Sequence, residues 1–270
     1  MPVLRTKTSR MWLPDALRGL ALLNMLAYHA MYDWVYVFGH ESSWYNIWAP
    51  GCHVWQQYIC WSFILLSGFS FPLAKRPAKN GLIVAGCAAV LTFVTAVFMP
   101  SEAIWFGVLH LNAAAVLLTC LVYPLLQRLP AGAGLAASAA LFALTNQLPE
   151  GYLGFENWRL CAVPTGLYKT NWFWLGLPDL TQFASADYFP ILPWVFLFWC
   201  GVFLARLWHP GRGAARRAAS SVCHRAQYAA GLHAASARNL RCTVGVAHGA
   251  WVKGPKYEQY KNFHFSENCC

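Results

Sequence analysis

Long apolar runs, separated by short connections that contain Pro, Gly or charged residues, dominate the first 208 residues of the chain. Each run holds about 17 to 24 residues, the length that a helix rising 1.5 Å per residue needs to cross a hydrocarbon core of about 30 Å. The pattern therefore predicts an all-α fold, a polytopic transmembrane helical bundle of about six spans. The predicted spans cover residues 17–38, 54–74, 82–99, 104–127, 131–147 and 188–208.

The composition agrees with a membrane protein. Hydrophobic residues make up 58% of the chain and charged residues only 11%, whereas soluble domains carry roughly a quarter charged residues. The net charge of +10 is typical of nucleic-acid binders, but membrane proteins also accumulate Lys and Arg in their cytoplasmic loops. We therefore expect membrane lipid, and no nucleic acid, among the partners of this chain.

Among the short connections between the predicted spans, Lys and Arg occur only in alternate ones. The loops after the first and third spans contain neither residue type. This alternation predicts a multi-pass protein of the inner (plasma) membrane with both termini in the cytoplasm. The basic residues before the first span or in the cytoplasmic connections are Arg5, Lys7, Arg10, Lys75, Arg76, Lys79, Arg128, Arg206 and Arg212.

The long connection 148–187 is then extracytoplasmic. It is rich in Trp, Tyr and Gly, so we expect it to pack on the membrane surface or to fold back between helices. Trp158, Tyr168, Trp172 and Trp174 are suitable interfacial anchors.

The composition changes abruptly near residue 210. Arg and Ala fill 211–219, and no run of even 15 apolar residues follows, so no further span is predicted. We divide the chain into a transmembrane domain over 1–209 and a basic tail over 210–270. We expect this tail to be disordered or bound to the anionic leaflet, or to be the product of a frameshift near Pro210.

The cysteines do not form a recognisable scaffold. Cys60, Cys87, Cys120 and Cys200 lie inside apolar runs, and no C-x-x-C pair occurs in the chain. We interpret them as small core residues and predict no metal site.

Ionisable residues inside a span usually face a cavity or a partner, so the first span is the first place to look for chemistry. His29 and Asp33 are four residues apart, on one helical face, where the carboxylate could orient the imidazole. His40 follows at the extracytoplasmic end, beside Glu41. A neutral imidazole can act as base or nucleophile in acyl transfer, although a buried histidine bonded to a neighbouring helix is an equal alternative.

Asp15 and Arg18 lie at the cytoplasmic end of the same span. One interpretation is an acid that favours the helix dipole together with a snorkelling arginine. The other is that Arg18, with Lys75 and Arg76 of the next cytoplasmic loop, supplies positive charge for a phosphate-bearing donor.

Two further segments are candidates for a site. His110 lies in the fourth span just after Gly107, which permits close approach of a helix or ligand. Asp187 precedes a sixth span whose start is broken by Pro190 and Pro193. Broken helix starts often line cavities, although a simple kink is the commoner outcome.

Taken in order, these motifs resemble the heparan-alpha-glucosaminide N-acetyltransferase catalytic-domain family over about residues 10–208. The chain has no P-loop, dinucleotide fingerprint, H-E-x-x-H or G-x-S-x-G motif that would favour another enzyme class. The motifs that carry the resemblance are Asp15-Ala16-Leu17-Arg18-Gly19-Leu20-Ala21, Tyr28-His29 followed by Asp33, Trp55-Gln56-Gln57 to Ser67-Gly68-Phe69-Ser70, Phe106-Gly107-Val108-Leu109-His110, and Asp187-Tyr188-Phe189-Pro190 before Pro193-Trp194.

The resemblance implies a transmembrane acetyltransferase that takes acetyl from acetyl-CoA on the cytoplasmic side and delivers it to an amino-sugar on the other side. The family's Phe-x-His-x-Ser-Trp context is matched, with one residue inserted, by Phe38-Gly39-His40-Glu41-Ser42-Ser43-Trp44. His40 therefore inherits the catalytic role, with His29 and Asp33 as further catalytic candidates.

The resemblance also sets our expectations about ligands. We expect acetyl-CoA as the donor, with Arg18, Lys75, Arg76 and His110 in its binding site, and no metal cofactor. We expect a small-molecule or glycan acceptor, and include a homo-oligomer among the partners.

Two other functions stay open at this point. In a transporter, His29, Asp33 and His110 would form a proton or substrate path, but no internal repeat supports that class. A non-catalytic membrane component is the third alternative. The family pattern calls for further helices after the sixth span, where this chain has the basic tail.

Overall fold

The computed structural model describes residues 12–156, 158–179 and 181–208. The predicted tail over 210–270 and the basic residues before Trp12 lie outside these described residues.

Six α-helices account for most of the described chain, and each coincides with one of the six predicted apolar runs. Pro50 and Pro77 stand at the first position of their helices, where proline's fixed φ favours the helix and its missing N–H costs nothing. The helices are α1 (Trp12–Tyr32), α2 (Pro50–Ser70), α3 (Pro77–Phe98), α4 (Val108–Leu126), α5 (Ala131–Thr145) and α6 (Ile191–Trp208), with a π-helical turn (Asp33–Val37) continuing α1.

Three of these helices, α3, α4 and α6, are long and apolar enough to cross a membrane. The first helix carries Asp15, Arg18 and His29, which lower its hydropathy, and α5 has only 15 residues. The described structure thus confirms a mostly helical fold with membrane-spanning character. The count of six spans stays a prediction.

The core is built around α6, which packs against α2, α5 and α4. Val195, Phe198 and Val202 of α6 are almost fully buried. The ring of Trp194 lies 5.6 Å from that of Phe142 on α5, and the Trp199 indole donates a hydrogen bond of 3.0 Å to Thr119 on α4. Burial of these side chains from three helices fixes α6 as the centre of the bundle.

Helix α1 lies beside α2 along one narrow seam. Its most buried residues, Ala21 and Tyr28, are seven apart, as in a heptad contact between helices. The rings of Tyr28 and Trp55 are 5.2 Å apart, and the Trp55 indole donates to the Asn24 side chain at 3.1 Å. The opposite face of α1, including His29, is exposed.

The fourth and sixth helices begin later than predicted, at Val108 and Ile191 instead of residues 104 and 188. The reason is a contact that is distant in sequence. Phe106 and Tyr188 form a parallel β-bridge, and the Phe189 N–H donates to the Phe106 carbonyl at 2.8 Å. The backbone polar groups of each segment are hydrogen-bonded to the other segment, so neither segment extends its own helix.

The connection 148–187 folds back on itself as an antiparallel hairpin, β1 (Tyr152–Phe155) with β2 (Trp158–Ala162), followed by two 3₁₀ turns, Thr165–Thr170 and Phe173–Leu175.

The predicted anchors of this connection divide into two groups. Trp158, Trp172 and Trp174 are exposed, as an interfacial role requires. Tyr168 is not an anchor: it is 4% exposed, and its hydroxyl donates to the Leu148 carbonyl at 2.6 Å. Burial raises its pKa to about 12.

The cysteine prediction holds in part. Cys60 and Cys200 are buried in the core, and Cys120 is partly buried. Cys87 is exposed on α3, so its assignment to the core was wrong; the apolar surroundings in the sequence did not distinguish a core face from an outer face. Among the described residues, no group of three or more His, Cys, Asp or Glu is placed to hold a metal ion.

Candidate functional site

His40 is held by the turn that ends the first helical segment. Gly39 has a positive φ of 74°, which turns the chain back so that the His40 ring stacks on Trp34, with centroids 3.9 Å apart and planes 13° from parallel. The Nδ1 atom lies 3.2 Å from the Trp34 carbonyl oxygen. Because a carbonyl only accepts, Nδ1 carries a proton in this bond, and Nε2 is the acceptor nitrogen of the neutral imidazole.

An open cavity of about 360 Å³ lies beside this histidine. Trp34 belongs both to the cavity wall and to the stack that holds the His40 ring. The cavity combines a carboxylate, two hydroxyls and indole faces, a lining suited to a polar ligand with many hydroxyl groups. Its walls are Met31, Trp34, Glu41, Ser42, Ser43 and Trp44.

His29 and Asp33 are both exposed, on the face of α1 that does not contact α2. The described structure shows no hydrogen bond or ion pair between them. Asp33 begins the π-helical turn Asp33–Val37, so the regular four-residue spacing that predicted their contact ends at this point. The predicted orienting role of Asp33 therefore stays a prediction without a contact to support it.

Asp187, which the sequence analysis noted only as the residue before a broken helix start, is bonded to the start of α4. Its Oδ2 accepts a hydrogen bond of 2.9 Å from the Val108 N–H, at the start of α4. A Cβ on Gly107 would overlap this carboxylate. Gly107 is thus required for the close approach, as the sequence predicted for this glycine, although the approaching group was unknown.

Three effects act on the pKa of the Asp187 carboxyl, which is raised overall. Burial raises the pKa of its carboxyl, while the Val108 N–H and the positive form of His29 lower it. An anion at a helix N-terminus is also favoured by the helix dipole. His29 therefore lies within electrostatic range of a carboxylate that is fixed on another part of the bundle.

His110 is bonded inside the protein. The Thr92 hydroxyl donates its single proton to the Ile104 carbonyl at 2.7 Å, so its contact of 3.1 Å with His110 Nε2 must be a hydrogen bond from the imidazole. The other nitrogen, Nδ1, is then an acceptor; it is buried and has no hydrogen-bond partner in the described chain.

The structure does not group His110 with the basic residues assigned to the donor. Arg76 immediately precedes the first residue of α3. His110 contacts Thr92, which lies 15 residues after that first residue, or about 22 Å along the helix axis. The described contacts thus place His110 apart from Lys75 and Arg76, and its assignment to the donor site stays a prediction.

Arg18 is bonded to Asp15 through Nη1 at 2.8 Å, a contact that neither interpretation of this pair predicted. Its Nε is buried and has no hydrogen-bond partner among the residues that the structure describes. Lys75 and Arg76 are exposed in the short connection between α2 and α3. Arg18 thus retains a donor for an anionic ligand, and the two loop residues are open to one.

A mostly helical fold in which three helices are long and apolar enough to cross a membrane defines a helical membrane protein. More specifically, the chain belongs to the heparan-alpha-glucosaminide N-acetyltransferase catalytic family, whose sequence model matches residues 10–238. This match confirms the resemblance and extends past residue 208, where we expected it to end. Searches among curated proteins and among solved structures give no significant match.

Proposed function

We propose that the protein is an integral membrane N-acetyltransferase that moves an acetyl group from acetyl-CoA to an amino-sugar or a similar acceptor. Family membership supports the reaction type. The donor would bind on the cytoplasmic side near Arg18, Lys75 and Arg76, and the acceptor would approach from the opposite side of the inner membrane. Both termini would then lie in the cytoplasm.

The observation that carries this proposal is the geometry of His40. Its stacking on Trp34 fixes the ring, and the bond from Nδ1 to the Trp34 carbonyl leaves Nε2 as the acceptor of the neutral imidazole. Trp34 and Glu41, the residue after His40, line an open cavity. A free imidazole nitrogen in a fixed position can remove a proton from an acceptor amine. The cavity lining of Glu41, Ser42 and Ser43 is suited to the hydroxyls of a sugar.

In the proposed reaction, His40 Nε2 takes a proton from the amine as the amine nitrogen forms a bond to the acetyl carbon. The carbon–sulfur bond of the thioester breaks, and CoA leaves as the thiol after protonation. A short-lived acetyl-imidazole on His40 is an alternative route with the same products.

The test is acetyl transfer by the purified full-length protein, with acetyl-CoA binding measured separately. We expect His40→Ala to lower turnover by about 10²- to 10⁴-fold, the usual contribution of a general base, while acetyl-CoA binding is retained. His53→Ala is the matched control, because His53 is also partly exposed but lies by Glu156, 3.8 Å away. Wild-type turnover in His40→Ala would exclude His40 as the catalytic group, and absence of acetyl-CoA binding by the wild type would contradict the proposed function.

A further inference from the structure

We infer that Glu41 is a specificity-determining residue that binds the ammonium form of the acceptor's amine, and that the indoles of Trp34 and Trp44 complete this cation site. The inference rests on the proposed function and narrows the chemical class of its acceptor to a sugar ring that carries a protonated primary amine. A hydroxyl or an acylated nitrogen at the same ring position has no positive charge and does not fit the site.

The first argument is the charge of the cavity lining. Glu41 is the one charged side chain among the six residues that line the cavity, and it is exposed. No hydrogen bond or ion pair joins it to another side chain in the described part of the chain. Residues 38–49, between the π-helical turn and α2, contain no Lys or Arg. The negative charge of Glu41 is therefore available to a cationic ligand.

The second argument is that the wall of the same cavity contains two tryptophans. The face of an indole attracts a cation that lies within about 6 Å of the ring centroid, and proteins use such faces to bind ammonium groups. Trp34 and Trp44 are 51% and 61% exposed, so a ligand can reach both. Because the His40 ring covers one face of Trp34, a cation can use only the other face of that indole.

The third argument is that the wall is fixed before a ligand binds. Trp34 stacks on His40, and the ring of Trp44 lies 5.7 Å from that of Tyr45, which is 2% exposed. The Tyr45 N–H donates to Ser42 Oγ at 3.1 Å, which leaves the Ser42 hydroxyl proton for a sugar oxygen. Since these side chains are already ordered, they lose little conformational entropy on binding.

The cation site adjoins the proposed base, because Glu41 follows His40 directly and Trp34 contacts the His40 ring. The bound ammonium first releases one proton to solvent, which frees the nitrogen lone pair. That nitrogen then forms a bond to the acetyl carbon while His40 takes its second proton. The carbon–sulfur bond breaks with its electron pair on sulfur, and the thiolate takes up a proton. The products are the N-acetyl sugar, the CoA thiol and one net proton, so no further reactant is needed.

The test measures sugar binding to the purified full-length protein without acetyl-CoA, by saturation-transfer NMR titration. The probes are glucosamine, at a pH where its amine is protonated, and glucose, which has a neutral hydroxyl at the same ring position. We expect the wild type to bind glucosamine about tenfold more tightly than glucose, the combined effect of an exposed ion pair and a cation–π contact. Glu41→Gln should lower the affinity for glucosamine about fivefold and leave that for glucose unchanged.

Two further variants serve as controls. Glu41→Asp retains the charge on a shorter side chain and should retain most of the preference for glucosamine. Glu156→Gln removes an exposed carboxylate outside the cavity and should change neither affinity. Added salt should weaken glucosamine binding by the wild type but not by Glu41→Gln, because salt screens an exposed ion pair. Unchanged glucose binding shows that each variant is folded.

Equal affinity of the wild type for the two sugars, no detectable binding of glucosamine, or an unchanged preference in Glu41→Gln would each overturn the inference. The proposed function fails in a different measurement, since it requires acetyl-CoA binding and acetyl transfer that depends on His40. A protein that binds glucosamine through Glu41 but transfers no acetyl group would retain the cation site and reject the acetyltransferase.

Discussion

Gly201 of α6 lies directly against the backbone of Gly68 of α2. A Cβ built on Gly201 would be 3.0 Å from the Gly68 carbonyl carbon and would overlap the Leu65 carbonyl oxygen. A Cβ on Gly68 would in turn overlap the Phe198 carbonyl oxygen. The two helices therefore meet backbone to backbone, a contact that only residues without side chains allow.

We predict that Gly201→Ala destabilises the protein by about 1–3 kcal/mol or more, because α2 and α6 must move apart and α6 forms the core. The measurement is the midpoint of thermal or denaturant unfolding in detergent. Gly86→Ala is the matched control: Gly86 is also inside a helix, but nothing lies within 4 Å of its added Cβ. That variant should be neutral or slightly stabilised, because alanine is the better helix former. Equal stability of the two variants would contradict this packing.

The sequence predicted the helices well because their signal is local. Apolar runs bounded by Pro50 or Pro77 define where a helix can form, and these limits agree with the structure to within a few residues. The starts of α4 and α6 were predicted too early because they depend on the bridge between Phe106 and Tyr188, which are 82 residues apart in the chain. Local patterns contain no information about such pairing.

The candidate site was predictable only in its residue types. The sequence identified His29 and His110 because ionisable groups are rare in spans, and His40 through the family resemblance. It assigned Asp33 as the partner of His29 from helical spacing, whereas His29 also lowers the pKa of Asp187, more than 150 residues away in the sequence. The stack of His40 on Trp34 also depends on the turn at Gly39, which no periodicity indicates.

We predict that Trp34→Leu lowers turnover several-fold without abolishing it. The substitution removes the indole that stacks on the His40 ring. Aromatic pairs of this kind contribute about 0.5–1.5 kcal/mol. The Trp34 carbonyl is part of the backbone and still accepts from Nδ1, so the base remains available. Steady-state kinetics check this prediction, with Trp12→Leu, an exposed tryptophan at the start of α1, as the control. Complete loss of turnover would indicate that the indole has a further role.

We predict that Arg206→Met destabilises the protein by about 1–3 kcal/mol, because it leaves the C-terminal end of α4 without its cap. The Arg206 guanidinium donates to the carbonyls of Leu126, Gln127 and Leu129 at 2.8, 3.3 and 2.9 Å. Methionine retains much of the side-chain length and packing but makes none of these bonds. Unfolding midpoints check the prediction against Arg128→Met, since Arg128 is exposed at the same end of α4. Similar midpoints for the two variants would show that the cap contributes nothing.

The last prediction concerns orientation in the membrane. The loops after α1 and α3 lack Lys and Arg, so the connection that holds Lys75, Arg76 and Lys79 should be cytoplasmic. The native Cys161 lies exposed on β2, in the connection that should face the other side, and it provides an internal reference.

In intact cells, a membrane-impermeant maleimide should therefore label Cys161. It should not label the cysteine of Lys79→Cys in a Cys161→Ser background until the membrane is permeabilised. Mass spectrometry of the labelled peptides separates these cysteines from the others in the chain. Labelling of Lys79→Cys in sealed cells would invert the topology, and the acetyl-CoA site proposed near Arg18 would then face away from the cytoplasmic donor pool.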